Sequence, residues 1–127
     1  MSQGRTKVLF VCSRNRWRSP TAERIFSRSA ALEVRARGLS ASAVRRLRAA
    51  DVAWADVIFV MEANHQRQLV SLFRAELGDR PIHVLDIPDE YTFMEPDLVE
   101  LLRDGVCAML GDEADVVARA PRHRRPT

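Results

Sequence analysis

The sequence predicts a single α/β domain in which a four-stranded parallel sheet lies between two layers of helices. Short apolar runs alternate along the chain with longer segments of helical periodicity, and this alternation favours parallel strands joined by crossover helices. The chain has 127 residues, which is enough for one modest hydrophobic core. We therefore assign residues 1–110 to one three-layer α/β/α domain. Residues 111–127 are predicted to form a flexible tail, because they are polar, basic and contain proline.

Four runs are predicted as strands because they are short and rich in apolar residues. In chain order they are Lys7–Val11, Val34–Arg37, Val57–Met61 and Ile82–Leu85. The first is predicted as a buried strand and the third as a central strand, since each is almost entirely apolar. The second is expected to end at Gly38.

Four segments are predicted as helices: Ser19–Leu32, Val44–Ala53, Asn64–Leu77 and Pro96–Leu110. Ser19 is the expected N-cap of the first, with Pro20 at the first helical position. The second is short and rich in arginine. Asn64 is a possible cap for the third helix and Gly78 its stop signal. The last helix is expected to face the core with Leu98, Leu101, Leu102, Val106, Met109 and Leu110.

The composition is that of a water-soluble globular domain. Hydrophobic residues make up 46% of the chain and charged residues 29%. No apolar run approaches the length of a membrane span, and the first residues lack the apolar stretch of a signal peptide, so we expect no membrane association. Cys12 and Cys107 form no framework of disulfides. A reactive thiol survives best in a reducing compartment, which predicts a cytoplasmic protein.

Arginine supplies nearly all of the positive charge, and the formal net charge is +3. Arginines cluster at Arg14, Arg16 and Arg18, at Arg45, Arg46 and Arg48, and at Arg119, Arg122, Arg124 and Arg125. Such clusters steer anionic substrates or form a solvated surface. For the second and third clusters we favour the solvated surface, because the interleaved aromatic residues of single-strand binders are missing. Nucleic acid is therefore not an expected partner.

The segment from Cys12 to Arg18 predicts an anion-binding loop with a nucleophile. It connects a strand end to a helix N-terminus, where backbone N–H groups and the helix dipole attract a phosphate. Arg18 can bind two phosphate oxygens in a bidentate fork. The same positive field favours the thiolate of Cys12. Ser19 can donate a hydrogen bond to that sulfur, and Asn15 tolerates the left-handed backbone of a tight loop.

A thiolate that attacks a bound phosphomonoester would also need a proton donor for the leaving oxygen. Carboxylates in the region after the last predicted strand are Asp86, Asp89, Glu90, Glu95 and Asp97. Asp86 ends the strand, and Asp97 follows Pro96 in the first turn of a helix. Asp89 lies in the middle of the loop and is the candidate acid. Tyr91, two residues further on, could flank an aromatic substrate.

These residues resemble those of the low-molecular-weight protein tyrosine phosphatases. Around the loop the match consists of VLFVC (8–12), Asn15 and RSPTAE (18–23). It continues with WADVIFVMEANHQRQL from Trp54 to Leu69 and with IPDEY from Ile87 to Tyr91. The resemblance implies Cys12 as nucleophile, Arg18 as phosphate clamp and Asp89 as general acid. It implies Ser19 and Asn15 as supports of the loop.

The chain differs from that family inside the loop and in the middle of the sequence. Arg14 stands where the family usually has glycine, and Trp17 where it has a second cysteine. Glu90 replaces the proline after the acid. The segment from Glu33 to Asp51 is short for the family. Together with the resemblance, the loop predicts substrate contacts from Ser13, Arg14, Asn15, Arg16, Trp17, Ser19 and Tyr91.

The predicted function is hydrolysis of a phosphomonoester through a cysteinyl-phosphate intermediate, with no metal and no cofactor. The three histidines are too scattered for a metal site. The resemblance implies a phosphotyrosine protein as substrate, and a small phosphomonoester is an alternative. Inorganic phosphate or sulfate is expected to bind in the loop. Two other functions stay open: arsenate reduction on the same scaffold, and a phosphate- or phosphopeptide-binding module without turnover.

Overall fold

The structure, a computed structural model, describes residues 5–111. Its sheet has four strands, β1 (Thr6–Cys12), β2 (Leu32–Gly38), β3 (Val57–Val60) and β4 (Ile82–Val84). Their order across the sheet is β2-β1-β3-β4, and every neighbouring pair is parallel. The predicted parallel α/β sheet is confirmed. The tail prediction for residues 112–127 lies outside the described residues.

Five helices connect or follow the strands: α1 (Arg18–Phe26), α2 (Ala49–Trp54), α3 (Ala63–Leu72), α4 (Arg74–Leu77) and α5 (Pro96–Leu110). Among residues 5–111, no helix has both the length and the apolar character needed to cross a membrane. The expected bounds of α5 are confirmed, and Pro96 lies in its first turn, where a missing N–H costs no hydrogen bond.

Strand β1 forms the centre of two hydrophobic cores because its alternate side chains point to opposite faces of the sheet. Phe10 lies on one face, stacked between Phe26 of α1 and Phe59 of β3 at centroid distances of 5.8 and 5.6 Å. Leu9 lies on the other face, in a cluster with Val52 of α2. Both faces are covered by helices, which explains the near-continuous apolar sequence of β1.

Three helix predictions were wrong at their ends. Helix α1 begins at Arg18, because Ser19 uses its hydroxyl on Cys12 instead of capping the helix. It ends at Phe26, since the chain from Leu32 joins the sheet. Residues 44–48 are not helical: the chain there is hydrogen-bonded to the Cys12 loop and to Gly38. The third helix breaks at Phe73, between α3 and α4.

The predicted core face of α5 was wrong at two residues. Leu98, Leu102 and Val106 are fully buried, whereas Leu101 and Met109 are 41% and 53% exposed. The buried residues recur every four positions and form one stripe along the helix. Leu101 lies at the margin of that stripe, and Met109 lies in the last turn of the helix.

Candidate active site

The loop of residues 13–17 connects the carboxyl end of β1 to the N-terminus of α1. The end of β2 packs directly behind it. A Cβ at Gly38 would lie 2.6 Å from the carbonyl oxygen of Ser13, so only glycine allows this approach. Ser13 O also accepts a hydrogen bond from Ser40 N at 2.8 Å. The loop is therefore held from below by the chain that follows β2.

Cys12 is buried at the base of the loop, and its sulfur has two hydrogen-bond partners. The thiol is 2% exposed, and Asn15 N donates to Sγ at 3.2 Å. Ser19 Oγ lies 2.9 Å from Sγ and accepts a bond from Asn15 Nδ2 at 2.8 Å. The hydroxyl also lies 3.5 Å from Arg37 O, so its proton can go either to that carbonyl or to the sulfur. The N–H of Asn15, joined by the Ser19 hydroxyl when it points to sulfur, stabilises a thiolate.

Asn15 has φ 58°, the left-handed conformation that asparagine tolerates. This turn leaves backbone donors of the loop without protein partners. Within residues 5–111, four N–H groups of the loop donate to no protein acceptor: those of Ser13, Arg14, Arg16 and Trp17. A loop with free amides at a helix N-terminus is suited to an oxyanion.

Arg18 is 3% exposed and is fixed along one edge of its guanidinium. Nη1 donates to the carbonyl oxygen of Ile87 at 2.8 Å and to the carboxylate of Glu62. Nε lies 3.7 Å from Asp89 Oδ1. Within the described residues Nη2 makes no protein hydrogen bond, so the edge formed by Nε and Nη2 can hold a phosphate.

His65, at the start of α3, supports the loop from the side. Glu62 N donates to Nδ1 at 3.1 Å, which places the ring proton on Nε2. Nε2 lies 3.0 Å from Ser13 Oγ and donates to it. Burial, followed by the charge of Arg18, lowers the pKa of His65 from its ordinary 6.5, against smaller opposing influences of Glu62 and Asp89. The neutral imidazole is therefore the form that this site requires.

This histidine predicts a pH-dependent stability. The unfolded chain binds the proton first as the pH falls, because the pKa is lower in the folded state. The contribution of neutral His65 is complete above about pH 6.5 and is lost as the pH falls through the folded-state pKa. As the pH falls below about 6.5, we expect the free energy of unfolding to fall more steeply in wild type than in His65→Asn. Urea denaturation at several pH values measures this, with His83→Asn on β4 as the control. Parallel curves for wild type and His65→Asn would contradict it.

The cavity above the loop has a volume of about 440 Å³ and is open to solvent. Its lining consists of Cys12, Ser13, Arg14, Arg16, Trp17, Arg18 and Asp89. Trp17 is 36% exposed at the rim, with the guanidinium of Arg16 lying 5.1 Å from its ring centroid. Asp89 is 62% exposed and faces the phosphate edge of Arg18.

Three predicted contact residues do not line this cavity. Asn15 and Ser19 are buried behind the loop, where they bond to each other and to Cys12. Tyr91 is half-buried against the α5 side of the core instead of flanking the cavity. The loop that carries Asp89 is held by its neighbour Ile87, which is 2% exposed and whose N–H donates to Met61 O.

The sequence interpretation missed Glu62 and His65, which had been assigned no role. In the sequence they are marked only by standing three positions apart directly after an apolar strand. A pair of polar residues at that spacing is too common to indicate a functional site. Within the described part of the chain, no three metal-ligating side chains converge.

No protein-family profile matches the sequence, and no curated protein matches it significantly. Solved structures do match. A low-molecular-weight phosphotyrosine phosphatase from Vibrio cholerae O395 has a TM-score of 0.66 and 19% identity, over 84% of this chain and 95% of that one. The tyrosine phosphatase Wzb from Escherichia coli K30, in complex with phosphate, has a TM-score of 0.64 and 19% identity, over 78% and 91%. The YwlE arginine phosphatase from Geobacillus stearothermophilus has a TM-score of 0.62 and 20% identity, over 96% and 99%. The chain thus has the fold of the low-molecular-weight protein tyrosine phosphatases.

Proposed function

We propose that this protein is a cysteine-dependent phosphomonoester hydrolase that forms a cysteinyl-phosphate intermediate. One observation carries the proposal: Cys12, the loop residues with free amides, Arg18 and Asp89 all line a single cavity of about 440 Å³. These groups supply a nucleophile, an oxyanion site and an acid, which are the roles that the reaction needs. No metal or cofactor is assigned a role.

The reaction has two steps. The Cys12 thiolate attacks phosphorus in line and forms an S–P bond, while the P–O bond to the leaving group breaks and Asp89 gives its proton to that oxygen. The loop amides and Arg18 hold the three equatorial oxygens, where charge accumulates. Asp89 then takes a proton from water as the water oxygen attacks phosphorus. The S–P bond breaks, and Ser19 stabilises the departing thiolate.

The cavity rim favours an aryl phosphate, and we propose a phosphotyrosine protein as substrate. Trp17 offers an exposed aromatic surface beside the loop, and aromatic pairs add about 0.5–1.5 kcal/mol beyond burial. Phosphoarginine, the substrate class named for one structural relative, keeps a cationic guanidinium. Arg14 and Arg16 at the rim would repel that group. Inorganic phosphate, bound by another relative, is the expected product and inhibitor.

The two alternatives have less support. Arsenate reduction needs a second thiol to attack the arseno-adduct, but Cys107 lies on α5 and does not line the cavity. A binding module would need no general acid, whereas Asp89 lies next to the phosphate edge of Arg18. We also propose a reducing compartment such as the cytoplasm, since Cys12 acts only as a free thiol.

Substitution of Asp89 tests both the function and the acid. We expect Asp89→Asn to lower kcat by about 10²–10⁴-fold on phenyl phosphate, because proton transfer to a basic leaving group is lost. The loss should be much smaller on p-nitrophenyl phosphate, whose leaving group needs less protonation. Steady-state kinetics with both esters measures the difference.

Glu90→Gln is the matched control, because Glu90 is an exposed carboxylate on the same loop that does not line the cavity. If Glu90→Gln reproduced the leaving-group dependence and Asp89→Asn did not, Glu90 would be the acid. If wild type bound phosphate but turned over neither ester, the enzyme proposal would fail and the binding module would stand.

A further inference from the structure

A second cavity lies beside the loop, where β2 ends and α2 begins. Its volume is about 390 Å³, and it is lined by Arg37, Val44, Arg45, Arg46, Arg48 and Asp51. We call it the arginine pocket. Four guanidinium groups and one carboxylate form its wall. The sequence interpretation assigned this arginine cluster to a solvated surface, but the fold gathers it around a concavity.

Among the described residues, Asp51 is the carboxylate that lines the arginine pocket, and it is already paired with arginines of β2. Asp51 is 5% exposed and lies 3.0 Å from Arg35 Nη1 and 3.3 Å from Arg37 Nε. It also accepts the backbone N–H of Arg48 at 3.0 Å, at the start of α2. Asp51 therefore balances two β2 arginines and orders the pocket floor, so that within residues 5–111 the pocket lining offers no further carboxylate to Arg45, Arg46 and Arg48.

Arg45 joins the arginine pocket to the active site. Its Nη2 pairs with Glu23 at 2.7 Å, and its Nε lies 3.3 Å from Asn15 Oδ1 in the Cys12 loop. The adjacent Val44 N donates to Arg14 O at 3.0 Å. A residue that lines the arginine pocket is thus hydrogen-bonded to one that lines the catalytic cavity, so the two cavities are adjacent.

Arg46 and Arg48 carry the uncompensated charge. Both side chains are exposed, and within residues 5–111 neither forms an ion pair. Two cationic groups beside a concave wall form an attractive site for an anion, and the flanking Arg14 and Arg16 extend the positive potential to the catalytic cavity.

We propose that the arginine pocket binds acidic side chains that flank the phosphorylated residue of a protein substrate. This inference rests on the proposed phosphatase function and gives it a sequence preference. A peptide is favoured over a nucleic acid because, among residues 5–111, no aromatic side chain lines the arginine pocket. The nearby Trp54 is already covered by the guanidinium of Arg35, 4.1 Å from its ring centroid. The described part of this surface therefore offers a ligand positive charge but no free aromatic ring on which a base could stack.

Two phosphotyrosine peptides of equal length test this proposal, one with Asp and Glu around the phosphotyrosine and one with Asn and Gln. We expect the double variant Arg46→Ala/Arg48→Ala to raise KM for the acidic peptide about three- to tenfold, since each exposed charge pair contributes about 0.2–1 kcal/mol. KM for the neutral peptide, and kcat for both, should stay within about twofold. The acidic preference of wild type should also shrink at about 1 M salt, where screening is strong.

Arg28→Ala/Arg74→Ala is the matched control, because it removes the same charge from exposed sites outside both cavities. Equal effects of the two double variants, or equal effects on the two peptides, would overturn the proposal. A third outcome would also overturn it: Arg46→Ala/Arg48→Ala loses binding of a single-stranded oligonucleotide but binds both peptides as tightly as wild type.

Binding to Cys12→Ser, measured by calorimetry with the same peptides, separates this proposal from the proposed function. A preference for the acidic peptide that disappears in Cys12→Ser/Arg46→Ala/Arg48→Ala supports the arginine pocket even if wild type hydrolyses no ester. Turnover of both peptides without any acidic preference supports the phosphatase and overturns the arginine pocket.

Discussion

Cys12→Ser is expected to abolish turnover, with a fall in kcat of about 10⁴-fold or more, while inorganic phosphate still binds. The thiolate is the group that forms the bond to phosphorus, and a serine hydroxyl in the same place is a far weaker nucleophile. The oxyanion site consists of Arg18 and the loop amides, which the substitution leaves in position. Steady-state kinetics on p-nitrophenyl phosphate and phosphate binding by calorimetry measure the two halves of this prediction.

Cys107→Ser makes the same chemical change at the other cysteine, which lies on α5 away from the cavity. It should keep wild-type activity and should still be inactivated by iodoacetate, whereas Cys12→Ser should not react. Phosphate at saturating concentration should protect wild type from iodoacetate. If Cys12→Ser retained more than about a hundredth of wild-type kcat, a covalent mechanism through Cys12 would be excluded.

The loop was predictable from sequence because its parts are adjacent in the chain. A strand end, a thiol, an arginine and a helix start within one short segment fix the local geometry almost regardless of the rest of the fold. The left-handed backbone at Asn15 agrees with this interpretation, because asparagine is one of the few residue types that tolerate it. The parallel sheet was predictable for a different reason, since the alternation of strands and helices restricts the topology.

Contacts between segments distant in the sequence were not predictable. Arg18 meets Glu62 across 44 positions and Ile87 across 69, and no local pattern encodes such pairs. The same cause explains the wrong helix in residues 44–48. Its propensity is outweighed by the hydrogen bonds of Val44 to the loop and of Leu47 to Gly38. Tertiary contacts decided both outcomes.

Arg18→Lys is expected to lower kcat/KM by about 10²–10³-fold, although the positive charge is kept. An ammonium is a single point and cannot donate to Ile87 O and to Glu62 while also holding two phosphate oxygens. Both kcat and phosphate affinity should fall, and the loss in kcat should be larger, because the planar fork is aligned with the equatorial oxygens of the in-line transition state. Arg24→Lys, on an exposed position of the same helix, is the control for the substitution itself.

Substitution of Glu62, which pairs with the guanidinium of Arg18, tests whether Arg18 acts through its orientation or through its charge alone. Glu62→Gln keeps an oxygen acceptor for Nη1 but removes the charge, so we expect a kcat loss of about tenfold, much less than for Arg18→Lys. If Glu62 acts only by orienting Arg18, the double variant Arg18→Lys/Glu62→Gln should be hardly worse than Arg18→Lys, because there is no fork left to orient. Additive losses in this double-mutant cycle would show instead that Glu62 acts on the reaction independently of Arg18.

The affinity of the Glu62→Gln variant for inorganic phosphate gives a second, independent comparison. A negative charge beside the oxyanion site disfavours phosphate, so Glu62→Gln should bind it at least as tightly as wild type even while kcat falls. Weaker phosphate binding together with lower kcat would mean that the orientation of Arg18 already controls the ground state.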